Sequence, residues 1–238
     1  MLNQSLDSAE LRKAFAIDGR LRVPELFDAA TADRIRQASE SRIPFEYLFF
    51  LDGQNYALSE AEMRGLDRQR ATSMQKGIGE AAANGVGFFY CGYKLGREDR
   101  ATSDPELRFL HEVFDYLNSE EMLGFIREIT GVNDIDNADA QYTRYTPGQF
   151  LTRHRDDVAS EHRRIAYVYS LTQGWHPDWG GLLQFFEDDG TPRDAWLPAF
   201  NTLSLFEVRH VHSVTYVTPF ARSSRLSLTG WFRSQGSS

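Results

Sequence analysis

The sequence predicts a mainly β protein with supporting helices, its strands forming a jelly-roll or cupin-like double sheet with helices packed on one face. Three observations predict it. The apolar period changes from helical to strand-like near residue 137. The runs after that point are short and separated by turn residues. Aromatic residues make up 13% of the chain, including 17 Phe and 10 Tyr, a bias that suits pleated surfaces. The 238 residues fit one domain spanning 1–238, about 1–136 mostly helical support with some strand and about 137–233 a β core.

In chain order, a helix is expected from about Ala29 to Ser39, and Ser59 with Glu62 marks another start. The Gly- and Ala-rich segment from Gly77 turns aromatic toward Tyr93 and reads as a loop leading into a strand. Asp104 as N-cap and Pro105 at the first helical position open a helix with Leu107, Leu110, Phe114 and Leu117 at helical spacing. Asn118 with Glu121 gives a capping-box pattern for the next helix. Its apolar face is Met122, Phe125, Ile126 and Ile129, and Gly131 ends it in a left-handed conformation. Strands are expected at Ala140–Tyr145, Arg164–Thr172, Gly181–Glu187, Thr202–Val208, His212–Thr218 and Arg225–Arg233. Thr146-Pro147-Gly148, Trp175–Gly181, Asp188-Asp189-Gly190 and Pro198 supply the turns. Ser234–Ser238 reads as a disordered tail.

The formal charge of −8 and the lack of a long Lys/Arg cluster argue against nucleic acid as a partner. A single cysteine, Cys91, allows no internal disulfide. No apolar stretch is long enough to span a bilayer, and the polar, amphipathic Met1–Lys13 lacks the pattern of a signal peptide. The expectation is a cytoplasmic protein.

There are six histidines. His111 falls inside a helical pattern, and His162 and His176 fall in turns, which leaves His154, His210 and His212. His154-Arg155-Asp156 is a His-x-Asp pair after a glycine-containing turn; on extended backbone, residues i and i+2 share a side, so an imidazole and a carboxylate can face one ion. Alone, such a pair is most often a surface ion pair. His212, on a later strand-like segment, offers a third ligand, and His210 competes with it by parity. Two histidines and one carboxylate on one face of a metal suit non-haem iron(II), which keeps its other positions open. On the last strand, Arg225, Ser227, Thr229 and Trp231 alternate with apolar residues or glycine. A buried arginine needs an anion, and a dicarboxylate fits its fork. Arg222, among small residues, is the loop-borne alternative.

Tyr145-Thr-Pro-Gly148 to His154-Arg-Asp156, Trp179-Gly180-Gly181-Leu182, Pro198-Ala-Phe-Asn201, Phe206-Glu-Val208, His212-Ser-Val214 and Arg225-Leu-Ser-Leu-Thr-Gly-Trp231 follow in order. This set resembles the prolyl 4-hydroxylase-like group of 2-oxoglutarate/iron(II) dioxygenases, and within it most closely the ribosomal-protein prolyl hydroxylases. The resemblance implies a double-stranded β-helix. It implies iron held by His154, Asp156 and His212, and Arg225 on the distal carboxylate of 2-oxoglutarate. Tyr145 matches a tyrosine near the co-substrate, with Thr229 and Trp231 as further pocket residues. It further implies hydroxylation of an unactivated carbon, foremost of a prolyl residue in a protein or peptide, with 2-oxoglutarate and oxygen converted to succinate and carbon dioxide, and ascorbate as a candidate reductant.

Other readings stay open at this stage. A free amino acid or other small molecule would serve the same chemistry, because substrate loops are the variable part of such folds. A nucleic-acid demethylase would call for a basic groove, which the charge disfavours. A non-catalytic cupin-like module would bind metal without turning over 2-oxoglutarate.

Overall fold

Local capping and hydrophobic spacing set the helices of the first half. The computed structural model describes residues 1–96 and 102–234. Helix α1 (Ser8–Asp18) is capped by Asp7, and strand β1 (Arg20–Pro24) follows. Helix α2 (Ala29–Arg42) extends the expected one by a turn, and Asp28 caps it. Strands β2 (Glu46–Leu51) and β3 (Gln54–Ser59) form a hairpin through Asp52 and Gly53, both at positive φ, the left-handed pairing that matches strand twist. The expected capping box at Ser59 and Glu62 is present and opens α3 (Glu60–Arg64).

Helix α4 (Arg68–Ala83) corrects the loop expected from Gly77. Gly77 lies inside it, where a Cβ would stand 2.3 Å from Leu51 of β2, so the missing side chain allows close packing rather than a turn. Strand β4 (Phe88–Lys94) then forms as expected. Helix α5 (Pro105–Leu117) has Asp104 as its cap. Helix α6 (Glu120–Thr130) is capped by Ser119, not by Asn118, and Gly131 ends it at φ 74°. Asn118 is diverted: its carboxamide accepts from the Ala138 amide at 2.8 Å and donates to the Ala138 and Phe114 carbonyls.

The second half supplies β5 (Asn137–Ala138), β6 (Gln141–Tyr145), β7 (Phe150–His154), β8 (Arg163–Ser170), β9 (Leu183–Phe186), β10 (Pro192–Trp196), β11 (Thr202–Glu207), β12 (Val211–Val214) and β13 (Arg225–Arg233). The run expected at His212–Thr218 is shorter as a strand. Thr215 still bonds backbone to backbone with Gly181 and Leu182; beyond it Val217 instead donates to the Gln149 carbonyl. The expected tail lies outside the described residues except for Ser234, whose amide donates to His162.

All strands pair antiparallel in one curled 13-stranded sheet of the described residues, in the path β1-β11-β8-β13-β6-β4-β7-β12-β9-β10, with β2, β3 and β5 alongside. This is the double-stranded β-helix. Its two ends meet through side chains: Arg20 of β1 donates to Asp194 of β10 at 2.5 Å. Strand alternation gives the sheet two unlike faces. Tyr167, Tyr169, Leu203, Leu205, Leu226, Leu228 and Phe232 join the buried faces of α1, α2, α5 and α6 in one apolar core. Each such side chain contributes about 1.5–3 kcal/mol. The alternate residues turn into the bore, where Thr143, Ser170, Thr202, Ser204 and Ser227 are all buried.

Asn201 ties the N-terminal segment to this sheet. It sits at φ 53°, accepts from the Phe27 amide and the Tyr169 hydroxyl, and donates to the Phe27 carbonyl at 2.8 Å. Asn201→Ala strips all three bonds and leaves buried groups unpaired. It should lower unfolding free energy by about 2–4 kcal/mol, with the urea m-value unchanged. A shift of the midpoint equivalent to less than about 0.5 kcal/mol would show that the strap does not hold the segment.

Candidate metal centre and its pocket

Strand pairing brings the histidines together. His212 on β12 stands directly opposite His154 at the end of β7, with ring centroids 4.2 Å apart. Asp156 lies two residues beyond the strand, where its amide donates to the Val208 carbonyl at 3.2 Å. Each carboxylate oxygen faces one ring: Oδ1 is 3.5 Å from His154 Nε2, and Oδ2 is 3.4 Å from His212 Nε2. All three ligating atoms lie within 4.8 Å of one another. Asp156 and His212 are buried, while His154 is partly open to the pocket.

Both imidazoles have their other nitrogen engaged. His154 Nδ1 is 3.0 Å from the Thr152 carbonyl, and His212 Nδ1 is 3.0 Å from that of His210. A carbonyl only accepts, so Nδ1 carries the proton and each Nε2 keeps its lone pair for an ion. His210 is excluded from the cluster, since its Nε2 pairs with the Asp18 carbonyl at 2.9 Å. Burial, reinforced by the neighbouring His154, pushes the His212 pKa down to about 4. Burial acts the same way on His154, but the Asp156 carboxylate outweighs it and holds that ring above its ordinary value. Asp156 is held below its ordinary value because the two imidazoles outweigh its desolvation. The donor set fits a hard-to-borderline divalent ion such as iron(II): two neutral imidazoles and one carboxylate on one side, open space on the other.

That open space is a cavity of about 740 Å³. Arg225, Thr229 and Trp231 of β13 line it, as do His154, Asp156 and His212. Arg225 is 2% exposed, its Nε has no hydrogen-bond partner, and its guanidinium lies 5.1 Å from the Tyr145 ring centroid. Arg222 is exposed on the loop before β13. Tyr145 is buried and stacks on Tyr90 at 5.2 Å; burial pushes both hydroxyls up, so they stay neutral donors. The Thr229 hydroxyl donates to the Gln141 carbonyl at 3.3 Å. Leu151, Val214 and Leu183 add apolar wall, and Phe206 meets His212 edge-on at 4.6 Å.

Arg163 escapes the sequence reading. Its Nη1 lies 3.8 Å from Asp156 Oδ1 and its guanidinium 3.5 Å from the Trp231 ring. By parity with Ile165 it belongs under the helices, but the β8–β13 ladder shifts register between Phe232 and Arg233 and turns it into the bore. Nothing in the residue types marks that shift.

Residues 140–233 match the model of the 2OG-Fe(II) oxygenase superfamily. The chain is 29% identical over 149 residues to mouse (Mus musculus) prolyl 3-hydroxylase OGFOD1, an alignment covering 59% of this chain and 26% of that protein. In structure it resembles a Pseudomonas putida prolyl-4-hydroxylase (TM-score 0.61, 21% identity, 97% of this chain and 100% of that one). It also resembles a Trichoplax adhaerens prolyl hydroxylase bound to a hypoxia inducible factor peptide fragment (TM-score 0.62, 16% identity, 95% and 89%). Those likenesses establish the shared fold.

Metal affinity should depend on pH in a stated direction. Binding needs neutral imidazoles, and His154 resists deprotonation more than a free histidine. Cobalt(II) titrated into apo-protein should therefore bind more weakly at pH 6 than at pH 7.5, by up to about tenfold per pH unit for each proton displaced. His212→Ala and Asp156→Ala should abolish tight binding at both. Affinity indifferent to these substitutions would place the ion elsewhere.

Proposed function

We propose that this protein is an iron(II)- and 2-oxoglutarate-dependent dioxygenase that hydroxylates a prolyl residue of a protein or peptide. The observation that carries this reading is one pocket holding both a buried His-Asp-His cluster and a fully buried arginine with no anion of its own. A metal-storage or cupin-like binding site needs the first and has no use for the second.

The chain's own residues divide the work. His154, Asp156 and His212 would hold the iron through Nε2, a carboxylate oxygen and Nε2. Arg225 would take the distal carboxylate of 2-oxoglutarate, since a guanidinium this deep leaves an unmet charge until an anion arrives. Tyr145, kept neutral by burial, would donate to the same carboxylate end. Iron with 2-oxoglutarate and oxygen supplies the oxidising chemistry, leaving succinate and carbon dioxide. Leu151, Leu183, Val214 and Phe206 keep water from the reacting centre. Trp231, its ring under the Arg163 guanidinium, lines the cavity beside the metal ligands and would give a pyrrolidine ring an aromatic contact there. The prolyl substrate class is supported by the likeness to prolyl hydroxylases.

Anaerobic protein with iron(II) and 2-oxoglutarate should show a metal-to-ligand charge-transfer band in the visible. His212→Ala should lose it. Arg225→Ala should weaken 2-oxoglutarate binding by about a hundredfold, the scale of stripping one partner from a buried charge pair. Arg222→Ala should leave it unchanged. In air, succinate release should rise with a proline-containing peptide and not with its alanine counterpart. No band with iron bound would end the dioxygenase reading; a band without proline dependence would end the prolyl one.

A further inference from the structure

Arg225 is not the only guanidinium at the inner end of this pocket. Beyond it lies a cavity of about 10 Å³, lined among others by Arg22, Ser170, Thr202, Ser204 and Arg225. That is room for one water molecule. Arg22 enters from β1. It stands opposite Ser204 of β11, which stands opposite Val168 of β8, so the first strand of the sheet reaches the bore of the β core.

Arg22 is only partly engaged there. Its Nη2 donates to the Leu197 carbonyl at 3.0 Å and its guanidinium lies 6.0 Å from the Trp196 ring, but its Nε is buried without a partner. Arg225 Nε is likewise unpartnered. No residue lining the cavity is acidic. Burial without a carboxylate pushes both guanidinium pKa values down. Arg22 is partly buried and Arg225 fully so; two cations and three hydroxyls thus line one water-sized space with no acidic residue, an arrangement that favours an added anion.

We infer that Arg22 is a second cation for the co-substrate's distal carboxylate, acting with Arg225 through a water held between them, and that it makes the pocket selective for 2-oxo acids ending in a carboxylate. This rests on the dioxygenase reading above. Arg22 is a specificity determinant: it takes no part in holding the metal or the 2-oxo end, so its contribution depends on the distal charge alone.

The test measures affinity rather than turnover. Dissociation constants for 2-oxoglutarate and for 2-oxopentanoate, which lacks the distal carboxylate, are read from the visible band of the anaerobic iron(II) protein, by direct titration or competition. Arg22→Met should weaken 2-oxoglutarate about tenfold, the size of one charge-assisted hydrogen bond, and change 2-oxopentanoate by less than about twofold. Arg22→Lys should recover part of the loss. If Arg22→Met does not fold, Arg22→Gln, which can still donate to Leu197, carries the same comparison. Equal weakening of both ligands would make Arg22 a structural residue only, and no weakening of either would remove it from the site; both outcomes overturn the inference. A wild-type protein that binds neither ligand would instead overturn the reading beneath it.

Discussion

The constraint on which the rest depends is that the central strands must satisfy two unlike environments at once. On β13, Leu226, Leu228 and Phe232 belong to the helix-covered core, while Arg225, Thr229 and Trp231 face the cavity. Side chains alternate with period two, so a slip of one residue would drive the Arg225 charge under the helices and the leucines into the bore. The helices therefore do more than cover apolar surface. By making one face of the sheet dry, they fix the register that presents the chemistry on the other.

The His154, Asp156 and His212 cluster inherits its geometry from the same pairing. His154 and His212 are cross-strand partners, and each Nδ1 donates to the carbonyl two residues back, Thr152 within β7 and His210 just before β12. Asp156 stands outside the ladder, its amide donating to the Val208 carbonyl and its own carbonyl accepting from Arg163. The two histidines sit on paired strands and Asp156 on the segment beyond β7, which lets the carboxylate set its two oxygens between the rings without moving the sheet.

Much of this was legible in the residue order. The exact span of β13 followed from its alternation, and the caps at Asp104 and Ser59 followed from their spacing. The His-x-Asp pair and the later histidine pointed to the cluster that the fold assembles, although nothing local could say that His210 would be taken by the Asp18 carbonyl instead. The hairpin at Asp52-Gly53 carried a readable turn signal that the aromatic run around it obscured. Strand β7 was harder: it is short, follows a turn and mixes charged with apolar residues, so it forms because β4 and β12 pair with it. Asn118 misled because a side chain that could cap a helix was recruited by a strand twenty residues away. Arg163 reached the site through a register shift, a property of two strands together rather than of either alone.

The curl of the sheet closes through side chains, and this has a consequence for the shape of the bore. Between β1 and β10 no ladder joins the ends; Arg20 reaches Asp194, Arg193 reaches Asp18, and Arg22 reaches the Leu197 carbonyl. Such a seam can widen without breaking a backbone hydrogen bond of the β1–β11 or β9–β10 ladders. Where the two ends meet, the girth of the bore is thus set by a few polar side-chain contacts, while His154 and His212 sit on strands joined by a backbone ladder.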